Sequence, residues 1–99
     1  MTRIHLIGIG GTGLSAIARI LLETGYAVSG SDRAESAFTQ DIRSAGATVQ
    51  IGHRAENIAG ADLVVRSSAI PDDNPEVLAA RAANIPRGFL KFCATAIDC

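Results

Sequence analysis

Apolar residues recur along the chain with two alternating periods, and that alternation outlines its elements. Residues 3–9 (RIHLIGI) form a short apolar run ending in glycines, as a strand buried on both faces reads. Leu14, Ile17, Ala18, Leu21 and Leu22 then fall at the i, i+3, i+4, i+7, i+8 spacing of an amphipathic helix. Gly25 supplies the stop for that helix. Residues 26–30 (YAVSG) predict a second strand that closes at Ser31-Asp32. Ser36 is placed to cap a helix over 37–45, with Gly46 as its stop. The alternation in residues 47–51 (ATVQI) predicts a third strand. Residues 52–60 read as a loop holding one helical turn over 55–58, and residues 61–67 (ADLVVRS) as a fourth strand. Asn74-Pro75-Glu76 opens another helix with a cap, a proline at the first position and an acid in the first turn. That helix carries Val77, Leu78, Ala82 and Ile85 and stops near Asn84, before Pro86.

Strands alternating with helices require right-handed crossovers and a parallel sheet covered on both faces. The expected fold is therefore α/β, a Rossmann-like doubly wound sheet in one domain, with strand order 3-2-1-4. At 99 residues there is room for one core. A last strand is expected directly after Ile85-Pro86, but residues 87–99 (RGFLKFCATAIDC) show no clean period. The reading is a domain over 1–86 followed by an irregular tail, a truncated or altered end of the same domain.

Composition narrows the chemistry. With 47% apolar residues the chain is not disordered, and a net charge of −1 with both signs interspersed offers no basic stripe for nucleic acid or membrane. The apolar start, broken by His5 and glycines, reads neither as a signal peptide nor as a membrane span, so the expected compartment is the cytoplasm. Cys93 and Cys99 lack a CxxC or zinc spacing and read as ordinary thiols. His5 and His53 are isolated, so no metal site is expected.

The sharp feature is Gly8-Ile9-Gly10-Gly11-Thr12-Gly13, a G-x-G-x-x-G between the first strand and the first helix. In this reading Gly8 permits the tight turn, Gly10 lets a phosphate approach the backbone, and Gly13 allows close helix–strand packing. The first-turn N–H groups around Gly11 to Leu14 then face an anion, with the positive helix end behind them. Thr12 and Ser15 add hydroxyl donors. Asp32 lies 19 residues after Gly13 at the tip of strand two, where an acid accepts hydrogen bonds from ribose hydroxyls. A carboxylate there also repels a 2′-phosphate, despite the neighbouring Arg33. Strand order reverses between strands one and four, so the loop Ser67-Ser68-Ala69-Ile70-Pro71 is expected beside the glycine loop. His53-Arg54 follows strand three at the same edge, either contacting a base or phosphate or simply solvated. Arg66 inside strand four is expected to snorkel at the strand end.

Absences matter as well. The chain has no G-x-x-x-x-G-K-[ST], no G-x-S-x-G, no paired catalytic carboxylates and no HExxH. It is read as a binder with no catalytic residues and no cofactor of its own. From these residues alone, a UDP-sugar site and an NAD site fit equally, since both ligands carry a diphosphate beside a ribose.

The segment His5-Leu6-Ile7-Gly8-Ile9-Gly10-Gly11-Thr12-Gly13-Leu14-Ser15 resembles the H-x-x-G-I-G-G-x-G-M-S that opens certain Mur ligases, the ATP-dependent enzymes of peptidoglycan precursor synthesis. Gly30-Ser31-Asp32 is similar to the family's G-S-D, and His53 with Asn57 to its H-x-x-x-N. Ser67-Ser68-Ala69-Ile70 and Asn74-Pro75-Glu76 are similar to its S-S-A-I and N-P-E. The likeness runs from about residue 3 to residue 86. Leu14 for Met, Arg66 for an apolar or small residue, and the tail are departures. The resemblance implies an N-terminal domain that binds UDP-N-acetylmuramate, in the branch of the family that attaches L-alanine. The branch that reattaches recycled murein tripeptide ranks second, because its glycine loop usually differs at the position of Gly10. It also implies two further domains as partners: a central one using ATP and Mg²⁺, and a C-terminal one holding the amino acid. The whole enzyme would pass through an acyl-phosphate, and the chain alone would be inactive. The implied contacts to the UDP-sugar are Gly8, Gly10, Gly11, Thr12, Gly13, Leu14, Ser15, Asp32, Arg33, His53, Ser67, Ser68 and Ala69.

Overall fold

The computed structural model describes residues 2–85 and 87–90. Five parallel strands, β1 (Arg3–Ile7), β2 (Ala27–Asp32), β3 (Thr48–Ile51), β4 (Leu63–Ser67) and β5 (Arg87–Leu90), form one sheet in the order β3-β2-β1-β4-β5. The helices are α1 (Thr12–Thr24), α2 (Ala37–Ser44) and α3 (Pro75–Ala82), with a single 3₁₀ turn over Ala55–Ile58. The predicted doubly wound topology is the observed one, with β1 and β4 adjacent at the point where the order reverses.

Strand parity divides the core in two. Ile4 and Leu6 of β1 point to one face and pack with Leu14, Ala18, Val28, Ile42 and Val49 under α1 and α2. Ile7 points to the other face and packs with Ile58, Val64, Val77 and Ala80 under α3 and the 3₁₀ turn. Burying each large aliphatic side chain contributes about 1.5–3 kcal/mol. His5, Ser29 and Ser31 share the parity of Ile7, so the second face is polar along its β1–β2 half. Gly30 lies on the first face, where an added Cβ would come within 2.5 Å of Ile9. That position has to be bare for the loop after β1 to fold onto the sheet.

Two expectations change. β1 ends at Ile7 rather than residue 9, because Gly8 turns the chain with a φ of +87°. The segment 87–90, expected to be irregular, pairs as β5 with β4 in parallel register, Val64 opposite Arg87 and Ser67 opposite Leu90. RGFL is short, holds a glycine and has no β-branched residue, so its strand character comes from the open edge of β4 and not from local preference. Lys91, Cys93 and Cys99 lie outside the described residues.

Candidate functional site

The helix N-termini are treated differently. Ser36 caps α2 in a reciprocal box with Thr39, and the Asn74 side chain accepts the Glu76 N–H at the start of α3. The capping position of α1 is Gly11, which has no side chain to offer, and no acid lies in its first turn. The N–H groups of Thr12, Gly13 and Leu14 therefore have no intrahelical acceptor, and the positive end of a 13-residue helix stands behind them. Such an end takes an anion readily.

Two of the loop residues already have partners within the protein. The Gly10 N–H is engaged within the protein: it donates to Asp32 Oδ2 at 2.9 Å. A Cβ at Gly10 would meet Thr39 Cγ2 at 2.7 Å and Asp32 Oδ2 at 2.8 Å, so close approach to β2 and α2 by itself requires glycine here. Ser15 is not a free donor either. Its hydroxyl donates to the Thr12 carbonyl and its N–H to the Gly11 carbonyl, and the residue faces the groove between α1 and α2.

Asp32, half-buried at the end of β2, is first of all a loop lock. Its Oδ2 accepts from Gly10 and its Oδ1 accepts the Arg33 N–H at 2.8 Å. Each carboxylate oxygen keeps a further lone pair for a ligand. The remaining predicted residues come together at the carboxyl edge of the sheet. A cleft of about 540 Å³ is lined by Gly8, Gly11, Asp32, Arg33, His53, Ser67, Ala69, Ile70, Pro71 and Asn74. A second hollow of about 260 Å³ shares Gly11, Ser67 and Ala69 with it and adds Thr12, Gly13, Leu14 and Ser68. The two adjoin at these shared residues, beside the start of α1.

Arg66 shapes the far wall. Its guanidinium donates to the Ile70 carbonyl at 3.2 Å and to Asp72 Oδ1 at 2.6 Å, bracing the loop after β4. The expectation of a snorkelling side chain is thus replaced: the Arg66 head is tied into the loop and only 18% exposed.

The residue that sequence reasoning missed is Glu76. Read as an acid at a helix start, it is in fact fully buried and gathers five donors. His5 Nε2 lies 2.5 Å from Oε1, and the Ser31 hydroxyl donates to the same oxygen at 2.8 Å. Asn57 Nδ2 at 3.0 Å and the Arg54 N–H at 3.1 Å donate to Oε2, and His53 Nδ1 stands 3.4 Å from it. Burial raises the Glu76 carboxyl, but hydrogen bonds from His5, Asn57 and Ser31, with the Coulombic pull of His5, outweigh it and hold the group below its ordinary value. The signal was available in part: His5, Ser29 and Ser31 are polar residues on one buried sheet face, and such a set needs a partner.

Among the described residues no group of three or more His, Cys, Asp or Glu is placed to hold a metal ion. No helix among them is long and apolar enough to cross a membrane.

Comparison with known proteins identifies the family. Residues 3–97 match the model of the Mur ligase family, catalytic domain. A UDP-N-acetylmuramate–L-alanine ligase of Bordetella petrii is 58% identical over 83 residues, which are 84% of this chain and 18% of that protein. The structure of UDP-N-acetylmuramate-alanine ligase MurC from Thermotoga maritima superposes with a TM-score of 0.86 at 37% identity, covering 90% of this chain and 21% of the other. A UDP-N-acetylmuramate:L-alanyl-gamma-D-glutamyl-meso-diaminopimelate ligase from Neisseria meningitides gives 0.83 at 29% identity, covering 90% and 28%. The chain thus spans about a fifth of the length of the curated relatives it matches.

Proposed function

The chain belongs to the Mur ligase family, and from that premise we propose that it is the UDP-N-acetylmuramate-binding domain of an ATP-dependent ligase that attaches L-alanine in the cytoplasm. The observation that carries the reading is the pair of adjoining hollows that share Gly11, Ser67 and Ala69, one at the uncapped start of α1 and one at the Asp32–His53 edge. The diphosphate sits on the N–H groups of Thr12, Gly13 and Leu14, where the helix dipole adds to hydrogen bonding. Ser67 and Ser68 supply further donors from the loop after β4. The nucleoside lies toward Asp32, Arg33 and His53. In this reading the domain covers 1–86 together with the strand at 87–90.

ATP and Mg²⁺ belong to other segments of such an enzyme. The residues here do not fit them: the sequence has no P-loop lysine motif, and the described residues hold no carboxylate cluster for a metal. No step of catalysis is assigned to this chain. Its contribution is to hold and orient the nucleotide end of a substrate whose reacting carboxylate lies elsewhere, which concerns binding and not bond making.

Calorimetric titration of the 99-residue chain with UDP and with NAD tests the proposal. UDP is expected to bind at least tenfold more tightly. An equal or reversed preference would return the site to a dinucleotide-binding module. Incubation with ATP, Mg²⁺, UDP-N-acetylmuramate and L-alanine is expected to release no phosphate above background.

A further inference from the structure

The Glu76 cluster has a definite proton order, and that order reaches the cleft. An ionised carboxylate only accepts hydrogen bonds, so every neighbour of Glu76 must donate. The Ser31 hydroxyl has one hydrogen, committed to Glu76 Oε1 at 2.8 Å. Ser31 Oγ also lies 2.9 Å from His53 Nδ1, and with its hydrogen committed it can only accept. The proton between them therefore belongs to His53 Nδ1. The 3.4 Å approach of the same nitrogen to Glu76 Oε2 favours a proton there too. When His53 is neutral, Nε2 is left with a bare lone pair.

The His53 ring lines the cleft, and Nε2 is the nitrogen left open to solvent. Both hydrogen bonds of the ring use Nδ1. Among the described residues no buried side-chain nitrogen or oxygen lacks a partner, so Nε2 belongs to the exposed edge of a ring that lines the cleft. We propose that Glu76 is a positioning residue: through Ser31 it fixes the His53 proton on Nδ1 and presents Nε2 to the cleft as a hydrogen-bond acceptor for an N–H or O–H of the nucleoside.

The consequence is chemical selection. A bare acceptor welcomes a base N–H or a ribose hydroxyl and repels phosphate and carbonyl oxygens. The opposite end of the cleft, at the start of α1, offers the N–H donors of Thr12, Gly13 and Leu14 with the hydroxyls of Ser67 and Ser68. Glu76 thereby sets one end of the cleft for the nucleoside and leaves the other to the diphosphate, an assignment that rests on the UDP-sugar reading above.

The test separates the two ideas. Long-range ¹H–¹⁵N correlation on the labelled, ligand-free chain near pH 8, where an unperturbed imidazole is neutral, reads the tautomer directly. His53 is expected as the Nδ1–H form, with a mixture in Ser31→Ala. A wild-type His53 protonated on Nε2 overturns the proposal, whatever the chain binds. In titrations, Ser31→Ala and Glu76→Gln are each expected to weaken UDP about three- to tenfold, the worth of one hydrogen bond. Pyrophosphate affinity should not move. Unchanged UDP affinity in folded Ser31→Ala, or equal losses for both ligands, also overturns it. Ser31→Ala carries the test if Glu76→Gln does not fold. Failure of the wild-type chain to bind UDP, with the Nδ1–H tautomer present, would instead count against the proposed function.

Discussion

Replacing Gly10 by alanine tests whether the glycine loop is held by Asp32 or merely tolerates it. The backbone at Gly10 is outside the left-handed region, so alanine adds no conformational strain there. What it adds is one methyl group, 2.7 Å from Thr39 Cγ2 and 2.8 Å from Asp32 Oδ2. Overpacking of that kind costs about 1–3 kcal/mol. If the loop moves to escape, the Gly10 N–H loses its 2.9 Å bond to the carboxylate. A hydrogen bond to a charged group is worth about 1.5–3 kcal/mol.

The two costs appear in different measurements. Overpacking lowers the urea midpoint of the ligand-free chain. Displacement of the loop misaims the Thr12–Leu14 donors, and UDP affinity is expected to fall about 10- to 150-fold. Adding Thr39→Ser removes the Cγ2 methyl and keeps the hydroxyl that accepts the Ser36 N–H. The double variant should regain stability but not affinity, because the clash with Asp32 persists. A Gly10→Ala chain with wild-type midpoint and wild-type UDP affinity would refute the lock.

Asp32→Ala frees the same loop from the other side, so UDP and pyrophosphate should both weaken, with any excess loss for UDP measuring a direct contact to the nucleoside. Pyrophosphate binding unaffected by Asp32→Ala would mean that the loop holds its shape without the carboxylate. Glu76, held below its ordinary value of about 4.5, contributes stability that is complete above that pH and lost as pH falls through the lowered value. The gap in urea midpoint between wild type and Glu76→Gln should therefore narrow below about pH 4.5, and a gap independent of pH would contradict the ionised hub. Glu35, lowered by Thr39 and Arg43, and Asp72, lowered by Arg66, titrate with the same sign but are exposed, so added salt should remove their share and leave that of Glu76.

What the sequence disclosed followed from local rules. The glycine loop between a strand and a helix and the Ser36 and Asn74 caps are each written in a dozen residues or fewer, and the strand order follows from the alternation of such local elements. The structure adds what depends on residues far apart in the chain. The spacing of Asp32 suggests a ribose contact, yet only the fold reveals that one of its oxygens closes on Gly10. Glu76 obeys the rule for acids at a helix start, and that rule concealed it, because His5 lies 71 residues away in sequence. β5 has weak local preference and is set by the edge of β4. Arg66 was conspicuous as an anomaly, but its purpose required the course of the loop that it ties.

The charge pattern of the cleft follows from how the helix starts are satisfied. α2 and α3 satisfy their own first turns through Ser36 and Asn74, which removes them as anion sites. α1 cannot do so, because glycine occupies its capping position, and an acid in its first turn would have competed with a ligand for the same donors. Asp32 binds the loop one residue upstream of that cap, through Gly10, and stops short of the helix donors. Glu76 is withdrawn beneath the sheet, with five donors around it, and its effect reaches the cleft through Ser31 and His53. No carboxylate takes the Thr12–Leu14 donors, and on the proposed reading a nucleoside diphosphate would meet donors at that end and acceptors at the Asp32–His53 end. An acid introduced at Thr12 would cancel that asymmetry, occupying the donors that the fold leaves open.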